Sequence, residues 1–253
     1  MYYTLIMSTD KDWEIWGANN PYFGVLSHPK FLGSKLRADV EQDFYASGQA
    51  DIDQVVSRVR LLGGSGRFAC AVDFGCGTGR LTIPLADHAS RVVGLDVSPS
   101  VLHEAKKKTP QKLAGKITYD LADDQLKHLP KKYDLVHSYI VFQHIPTKRG
   151  EAIISKLLTE LQPGGFAALH VTFTYRASKL KKVVIWLRNH FVPLHYVLNI
   201  CRHRPWNTPR MRMYTYNLDN MVRIFGQAGI PETVQIMTDH GGYLGLMIIG
   251  RKQ

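Results

Sequence analysis

The sequence predicts an α/β protein built on a doubly wound, mostly parallel sheet. Two observations predict it. Short apolar runs alternate with longer amphipathic ones from about residue 51 onward, which is typical of repeated strand–helix units. The first of these runs leads into closely spaced glycines at positions 75, 77 and 79. Because sheets of this kind bind ligands at the carboxyl ends of their strands, a binding site is expected where these glycines lie.

Five parallel strands and a final hairpin are predicted. The apolar runs that predict the parallel strands are Phe68–Phe74, Arg91–Leu95, Ile117–Leu121, Tyr133–Tyr139 and Phe166–Phe173. After them, Thr233–Met237 and Tyr243–Ile249 flank a His240-Gly241-Gly242 turn. Two short apolar runs around a glycine turn indicate an antiparallel pair.

Helices are predicted between the strands. Apolar residues recur at helical spacing in residues 51–62, and the same reasoning gives helices over about 78–88, Pro99–Lys108, Gly150–Leu161 and Asn217–Ala228. Asn217 is a suitable N-cap for the last of these. Residues 1–50 are rich in aromatics and turn formers. This N-terminal segment, with Trp13, Trp16 and Tyr22, is interpreted as a lid over the ligand; the alternative is simple packing.

Composition and charge narrow the classes of protein to which the chain can belong. The 253 residues are 45% hydrophobic and 21% charged, which excludes disordered, collagen-like and coiled-coil chains. A formal net charge of +11 makes an anionic partner worth testing. The first residues lack the basic and apolar regions of a signal peptide. Three cysteines without a CxxC pair argue against a disulfide framework, so a cytoplasmic protein is expected.

The glycine loop carries the strongest functional signal. A dinucleotide site would need glycine or alanine at position 80, where this chain has Arg80, and the G-K-[ST] of a nucleotide triphosphate site is absent. Asp73 brings negative charge to the end of the first strand, which favours an ammonium or sulfonium ligand over a pyrophosphate. Asp96 ends the second strand, where a carboxylate is placed to bind two ribose hydroxyls. An NAD-dependent enzyme is the alternative.

On these motifs, residues 52–175 resemble the class I S-adenosylmethionine-dependent methyltransferases. The resemblance implies a Rossmann-like, seven-stranded sheet of order 3-2-1-4-5-7-6 with an antiparallel last strand, and S-adenosylmethionine as cofactor. It places Asp73 and the loop glycines around the methionine portion, Asp96 at the ribose, and Asp123, or its neighbour Asp124, at the adenine. The full predicted cofactor set is Asp73, Gly75, Cys76, Gly77, Gly79, Asp96, Val97, Asp123, Asp124 and Tyr139. Cys76 is expected to pack there rather than to react.

The acceptor is expected just past the fourth strand, in residues 138–146. His144 is the first candidate for a base that takes a proton from a hydroxyl acceptor; the alternative is that it only holds the loop. His170, in the fifth strand, is the second candidate, against the role of a core histidine. Acceptor contacts are expected from Trp16, Tyr22, Phe142 and Tyr175. No histidines and acids have metal-site spacing, so a metal-independent enzyme is predicted.

The motif after the fourth strand bears on the atom that is methylated. Methyltransferases that act on nucleic-acid bases or on glutamine carry [NDS]-P-P-[YFW] there, whereas this chain has Ser138-Tyr139-Ile140-Val141. The loop and the aromatic N-terminal segment resemble those of small bacterial enzymes of secondary metabolism and of sugars or glycoconjugates. The prediction is therefore O-methylation of a hydroxyl on a small or medium-sized acceptor.

The positive charge is concentrated in one stretch. No acidic residue lies between Glu160 and Asp219, and nine basic residues do, namely Arg176, Lys179, Lys181, Lys182, Arg188, Arg202, Arg204, Arg210 and Arg212. A helical cap at about 176–215, inserted into a methyltransferase domain of residues 51–253, is predicted. Its basic face is either merely solvated, or a contact through residues 176–204 with a membrane surface and a lipid-linked acceptor, or an RNA contact. Nucleic acid is disfavoured because no RNA-binding appendage is recognisable. A monomer or a homodimer is expected.

Overall fold

The computed structural model describes residues 9–178, 183–184, 187, 197, 199–201 and 208–253. A seven-stranded sheet has the strand order β3-β2-β1-β4-β5-β7-β6. The strands are β1 Phe68–Phe74, β2 Ala89–Asp96, β3 Ile117–Leu121, β4 Leu135–Ser138, β5 Phe166–Tyr175, β6 Thr233–His240 and β7 Tyr243–Arg251. Strands β1 to β5 are parallel and β7 is antiparallel to both of its neighbours. The predicted fold class and strand order are confirmed.

Strand β1 lies inside the sheet, between β2 and β4, and both of its faces are apolar. Val72 and Phe74 belong to the core cluster on one face, and Ala71 belongs to the cluster on the other. This alternation follows the two-residue period of a strand, and burial on both faces is typical of a parallel sheet covered by helices. The carboxyl end of β1, where the glycine loop begins, is thereby fixed at the middle of one edge of the sheet.

Seven α-helices among the described residues cover the sheet and its edge. They are α1 Thr9–Asn19, α2 Pro21–Val25, α3 Ala38–Leu61, α4 Thr82–Leu85, α5 Pro99–Lys108, α6 Thr147–Glu160 and α7 Leu218–Gln227. Helix α5 has the predicted bounds, since Ser98 accepts a hydrogen bond from the backbone N–H of Val101 as its N-cap. Asn217 caps α7 in the same way, through the backbone N–H groups of Asp219 and Asn220.

Three of the differences from the prediction lie next to the site or at a predicted domain boundary. The helix expected over residues 78–88 is reduced to the single turn α4, because Gly77 and Gly79 have φ values of +53° and +82° that no right-handed helix contains. Strand β4 ends at Ser138, before the predicted Tyr139, and Ile140 with φ of +61° turns the chain away. Helix α3 begins at Ala38, so the predicted boundary between residues 50 and 51 lies inside one helix.

The insertion after β5 is only partly described. Its basic residues Arg176, Arg210 and Arg212 are described, whereas Lys179, Lys181, Lys182, Arg188, Arg202 and Arg204 lie outside the described residues. Residues 183–184, 187, 197 and 199–201 are helical. Within the described part of the chain, no helix combines the length and apolar character needed to cross a bilayer.

Candidate functional site

A cavity of about 900 Å³, its open mouth included, lies at the carboxyl ends of β1, β2 and β4. Its floor is formed by the strand ends and its cover by α1. The residues that line it are Thr9, Asp10, Trp13, Gly17, Pro21, Gly24, Val25, Phe74, Gly75, Gly77, Asp96, Val97, Ser98, Val101, Ala122, Asp123, Asp124, Tyr139, Ile140, Val141, His144, Ile145, Arg149 and Ile153. The position is the one that the sheet topology predicts for a ligand.

The glycine loop forms the centre of the floor. Gly75 and Gly77 have φ values of +74° and +53°, which disfavour any residue with a Cβ. A Cβ on Gly75 would collide with the side chain of Val141, and one on Gly77 would lie 2.6 Å from Cγ2 of Val25. Bare main chain is therefore required for the loop to face the cavity under these neighbours. Gly79 does not line the cavity and serves the turn, since a Cβ there would lie 2.7 Å from the hydroxyl of Tyr119.

Asp96 lies in the floor beside the loop. One oxygen accepts a hydrogen bond from the backbone N–H of Gly77 at 2.9 Å, and the other accepts from Ser98 N–H at 3.0 Å. Each carboxylate oxygen has a further lone pair for a ligand. Burial raises the pKa of Asp96 to about 6, because the cost of desolvating the charge exceeds the gain from these hydrogen bonds. The side chain is thus held by the main chain with acceptor capacity left for the cavity.

Asp73 does not reach the cavity, contrary to the predicted contact with a cationic ligand. It is buried, and its Oδ1 lies 2.8 Å from Nδ1 of His137 on β4 while its Oδ2 accepts from the hydroxyl of Thr82 at 2.6 Å. The parallel register places Asp73 directly beside His137. Both carboxylate oxygens are therefore used to join β1, β4 and α4 behind the loop.

The far end of the cavity contains a pair of acids and an arginine. Asp123 and Asp124 follow β3 and both line the cavity. Arg149 donates through Nε to Asp124 at 2.6 Å, and through both terminal nitrogens to Asp10 of α1 at 2.7 and 2.8 Å. Arg149 thus joins the loop after β3 to α1, and no local pattern around residue 149 indicates this role. Asp123 interacts with Lys127 at the surface.

Helix α1 covers the cavity through close packing on α5. Glu14 accepts hydrogen bonds from the hydroxyls of Ser98 and Ser100 at 2.6 Å each, and these bonds outweigh desolvation and lower the pKa of Glu14. A Cβ on Gly17 would collide with Oγ of Ser98 and lie 2.8 Å from Cγ1 of Val101. A residue larger than glycine at position 17 would therefore push α1 away from α5.

A second attachment of α1 points to the acceptor side. Asp12 is buried, with an oxygen 3.7 Å from a terminal nitrogen of Arg212. Burial raises the pKa of Asp12, and the charges of Arg212 and Arg210 oppose that shift. Trp13 lines the cavity and packs edge-on against His144, with ring centroids 4.7 Å apart. The N-terminal segment therefore covers the cavity, and of its three predicted aromatic residues Trp13 is the one that lines it.

The predicted acceptor contacts Trp16 and Tyr22 lie elsewhere. Trp16 is buried against Phe23. Tyr22 is buried, packs on Phe44 and donates its hydroxyl hydrogen to Glu104 at 2.7 Å. Both residues hold α1 and α2 on the body of the protein, because their large apolar rings face the interior.

His144 lies at the acceptor side with both ring nitrogens engaged. Nδ1 is 2.8 Å from the carbonyl oxygen of Arg212, so Nδ1 carries the hydrogen, and Nε2 faces the side-chain amide nitrogen of Gln143 at 3.1 Å. Burial lowers the pKa of His144 to about 4. A neutral histidine whose remaining lone pair is already occupied fits a role in holding the loop.

Gln143 extends this connection, and sequence reasoning missed it. Its side-chain oxygen accepts from the hydroxyl of Thr172 on β5 at 2.8 Å, and its backbone oxygen accepts from Tyr214 N–H at 2.7 Å. The returning end of the insertion, residues 208–216, is thereby fixed to the loop after β4. Nothing local in the sequence around Gln143 distinguishes it.

Four other predicted residues do not line the cavity. His170 is fully buried, bonded to the hydroxyl of Thr238 at 2.8 Å, and burial lowers its pKa to about 3. Phe142 is buried and stacks on Phe74 at 5.5 Å. Tyr175 stacks on Tyr243 at 3.9 Å. Cys76 is buried, which raises the pKa of its thiol. These four residues support the site from the strands and the core.

Two further predicted cofactor residues, Val97 and Tyr139, line the cavity. The ring of Tyr139 lies against His170 at 5.1 Å and His240 at 5.8 Å, and burial raises the pKa of Tyr139 to about 12. The uncharged side chain of Tyr139 therefore forms part of the cavity wall on the acceptor side. Among the described residues, no three histidine, cysteine or acidic side chains are grouped so that they could hold a metal ion.

Comparisons with known proteins agree with this geometry. Residues 71–165 match a family described as a methyltransferase domain. The chain is 35% identical over 119 residues to magnesium-protoporphyrin O-methyltransferase of Synechocystis, covering 47% of this chain and 51% of that protein. It is 30% identical over 103 residues to trans-aconitate 2-methyltransferase of Methylobacterium radiotolerans, covering 40% of this chain and 37% of that protein. The chain thus spans about half the length of the curated relatives it matches, or less.

Solved structures share the fold. The structure of magnesium protoporphyrin IX methyltransferase from Synechocystis with bound SAM has a TM-score of 0.62 and 20% identity, covering 99% of this chain and 100% of that one. The N-methyltransferase NodS from Bradyrhizobium japonicum, in complex with S-adenosyl-L-homocysteine, has a TM-score of 0.58 and 17% identity, covering 97% of this chain and 99% of that one. At these identities the likeness establishes the architecture.

Proposed function

We propose that this protein, whose residues 71–165 form a class I S-adenosylmethionine-dependent methyltransferase domain, transfers a methyl group from S-adenosylmethionine to a carboxylate oxygen of a small or medium-sized acceptor. The observation that carries the proposal is the floor of the cavity, where Asp96 and the glycine loop meet. A carboxylate and bare main chain are the groups that a sulfonium nucleoside requires.

The described residues fit the cofactor. Asp96 has lone pairs available for the two ribose hydroxyls, and Gly75 and Gly77 leave space for the amino-acid portion where a Cβ would collide with neighbours. Asp123 also lines the cavity, and we assign it to the adenine. The cofactor supplies an electrophilic methyl group on sulfur, and the protein supplies the position of the acceptor. Holding two reactants in line accounts for much of the rate in such a displacement.

A carboxylate acceptor agrees better with the cavity than the hydroxyl predicted from the sequence. A hydroxyl needs a base, yet His144 has its Nε2 lone pair occupied by Gln143 and a pKa of about 4. A carboxylate is already deprotonated at neutral pH and needs only orientation. The relatives include enzymes named for trans-aconitate and for malonyl-[acyl-carrier protein]. Both names describe molecules with a free carboxylate.

The charge near the acceptor side also favours an anion. Arg210 and Arg212 belong to the segment that returns to the cavity, and Arg212 lies beside Asp12 of the cover. The whole stretch between Glu160 and Asp219 has nine basic residues and no acidic one. A positive field attracts an anionic acceptor and raises the rate at which it is captured.

Cofactor binding is tested by calorimetry. Titration of the purified protein with S-adenosylmethionine, and separately with S-adenosylhomocysteine, is expected to give saturable heat at one site per chain, with NADH as the negative control. Saturable binding of NADH, or the absence of heat with both sulfur compounds, would contradict the proposal.

The atom that is methylated is tested by the chemistry of the product. The protein is incubated with cofactor labelled in the methyl group and with carboxylic acids, each paired with the alcohol of the same carbon skeleton. Label is expected in the acids only, and mild alkali should release it as methanol, because a methyl ester is hydrolysed and a methyl ether is not. Alkali-stable label in the alcohols would restore the hydroxyl acceptor.

A further inference from the structure

We propose that the hydroxyl of Tyr139 binds the carboxylate of the acceptor, and that the acceptor is an acid with one carboxylate on an apolar skeleton; both statements rest on the proposed function. The described residues that line the acceptor side of the cavity are Trp13, Tyr139, Ile140, Val141, His144 and Ile145. Their side chains are uncharged near neutral pH, since burial lowers the pKa of His144 to about 4. Recognition of an acid on this side therefore depends on neutral hydrogen-bond donors.

The hydroxyl of Tyr139 is such a donor, and no described residue engages it. The side chain is half-buried, and its oxygen is accessible without a hydrogen-bond partner in the described part of the chain. His144, by contrast, has its ring nitrogens engaged by Gln143 and by the carbonyl of Arg212. The indole N–H of Trp13 is a second donor, but it belongs to the cover. Burial raises the pKa of Tyr139 to about 12, so the phenol remains a donor at every pH near neutrality.

The ring of Tyr139 is held on several sides. It packs edge-on against His170 and His240, and the guanidinium carbon of Arg80 lies 6.0 Å from the ring centroid. Arg80 is buried and pairs with Asp51 of α3 at 2.6 Å. A donor that the protein already holds in place loses little conformational entropy when it binds a ligand. The contacts around the ring therefore favour binding through the hydroxyl.

The fold places Tyr139 beside the glycine loop. Asp73 lies next to His137 in the parallel register of β1 and β4, and Gly75 and Tyr139 each follow two residues later. A Cβ on Gly75 would collide with Val141, so the segment after β4 packs directly on the loop. We have assigned the amino-acid portion of the cofactor to this loop. A carboxylate bound to Tyr139 is thus close to the portion of the cofactor that includes the sulfur.

The transfer needs no base when one carboxylate oxygen accepts from Tyr139. The other oxygen forms the new bond to the methyl carbon as the carbon–sulfur bond breaks, and the electron pair of the broken bond stays on sulfur. The products are a methyl ester and a neutral thioether, and no proton is released. This agrees with a histidine on this side whose ring nitrogens are both engaged.

The uncharged lining also limits the number of carboxylates. One carboxylate is balanced by the positive charge of the sulfonium, whereas a second would enter an apolar compartment without a counter-charge, which costs free energy. The charged residues of the described lining are Asp10, Asp96, Asp123, Asp124 and Arg149. Four of these are acids, and Arg149 is bonded to Asp10 and Asp124. None of them offers a free positive charge to a second carboxylate.

Equilibrium binding tests the donor without turnover. The protein is saturated with sinefungin, an analogue of S-adenosylmethionine that has an amine in place of the methylated sulfur and transfers no methyl group, and is titrated with decanoate by calorimetry. Tyr139→Phe is expected to raise the Kd for decanoate about 30-fold, because a hydrogen bond to a charged group is lost, and to leave the affinity for sinefungin unchanged. The matched control is Tyr133→Phe, whose hydroxyl donates to the carbonyl of Leu157 in the core, away from the cavity lining. It should bind decanoate as the parent does.

Decanedioate, which has the same skeleton and a second carboxylate, tests the acceptor class. It is expected to bind the parent protein at least about tenfold more weakly than decanoate. Equal Kd values for decanoate in the parent and in Tyr139→Phe, binding of decanedioate as tight as that of decanoate, or no binding of decanoate to the loaded parent overturns the inference.

The kinetics of ester formation from decanoate separate binding from a structural role. The negative charge of the acceptor disappears as the ester forms, so the hydrogen bond from Tyr139 is strongest before the reaction. Tyr139→Phe is therefore expected to raise KM and to leave kcat nearly unchanged; a fall in kcat at equal KM overturns the inference. Failure of the parent protein to bind either sinefungin or S-adenosylmethionine would instead overturn the proposed function itself.

Discussion

The floor and the cover of the cavity are built in different ways. The floor is fixed by main chain, with Gly75 N–H donating to the carbonyl of Leu95 at 2.7 Å and Gly77 N–H donating to Asp96. The cover, α1, is attached by side chains, through the polar contacts of Glu14 and Asp10 and the buried ring of Trp16. Partly exposed ion pairs contribute little free energy, whereas the floor is continuous with the buried sheet. Substitutions in the cover are therefore expected to have smaller effects than substitutions in the floor.

The largest effect is expected in the floor. Asp96→Asn keeps the shape of the side chain but removes the charged acceptor for the ribose hydroxyls, so the dissociation constant for S-adenosylmethionine should rise about 100-fold. Calorimetry on folded protein measures it. Asp120→Asn, at the neighbouring position of β3 and outside the cavity lining, is the control. Equal affinity in the Asp96 variant and its parent would remove Asp96 as the ribose ligand.

The pKa of Asp96 adds a pH signature to the same comparison. Because burial raises it to about 6, protonation competes with the ligand below that pH. Affinity is expected to weaken about tenfold for each pH unit below 6 and to level off above it. The Asp96→Asn variant should show no such slope. A flat profile for the parent protein between pH 5 and 7 would contradict the assignment.

The loop after β4, where floor and cover meet, should show the next largest effect. If His144 holds the loop, His144→Ala lowers turnover by roughly 30-fold, less than the roughly 100-fold or more expected for a base, and leaves cofactor affinity nearly unchanged. His144→Asn should recover much of the rate, because its amide can still donate to the carbonyl of Arg212. Turnover that falls equally in both variants, with loss of a pH-dependent limb, would identify His144 as the base.

In the cover, a steric change tests how closely α1 packs. Gly17→Leu should displace α1 from Ser98 and Val101 and weaken cofactor binding about tenfold, with little change in melting temperature because the sheet is untouched. Gly226→Leu is the matched control, since Gly226 lies in α7 outside the cavity lining and a Cβ there meets no atom within 4 Å. A large fall in melting temperature for Gly17→Leu would show that α1 is part of the folded core.

The smallest effect is expected for the ion pairs of the cover. Arg149→Ala removes the contacts with Asp10 and Asp124, and cofactor affinity should fall only threefold to fivefold, that is by about 1 kcal/mol or less, with the difference shrinking in high salt. Lys148→Ala, an exposed neighbour, should bind as the parent does. A salt-independent loss of more than about 30-fold would mean that Arg149 contacts the ligand directly.

Elements with local signals were predictable from the sequence. Helix α5 has a serine cap, an N-terminal proline and three lysines in its last turn, and its predicted bounds match. The alternation of strands and helices predicted the parallel sheet, and the strand order followed from the resemblance to the methyltransferase family that the glycine loop and Asp96 indicate. Helix α1 was not predicted, because its residues 9–19 have no clear apolar period and its stability depends on contacts with α5.

The side-chain partners in the site were harder to predict. Asp73 faces His137, 64 residues away, and Arg149 faces Asp10, 139 residues away. A single sequence contains no signal for such pairs, since the sheet register and the packing of the cover decide them. The chemical type of Asp73 was informative, but whether its carboxylate faces the ligand or the neighbouring strand depended on His137.

Buried Asp12 links the cover to the segment that returns from the insertion. It lies in α1 yet contacts Arg212, whose carbonyl accepts a hydrogen bond from His144. A displacement of α1 would also separate Asp12 from Arg212, so on the proposed function the cofactor end and the acceptor end of the cavity would be uncovered by the same movement.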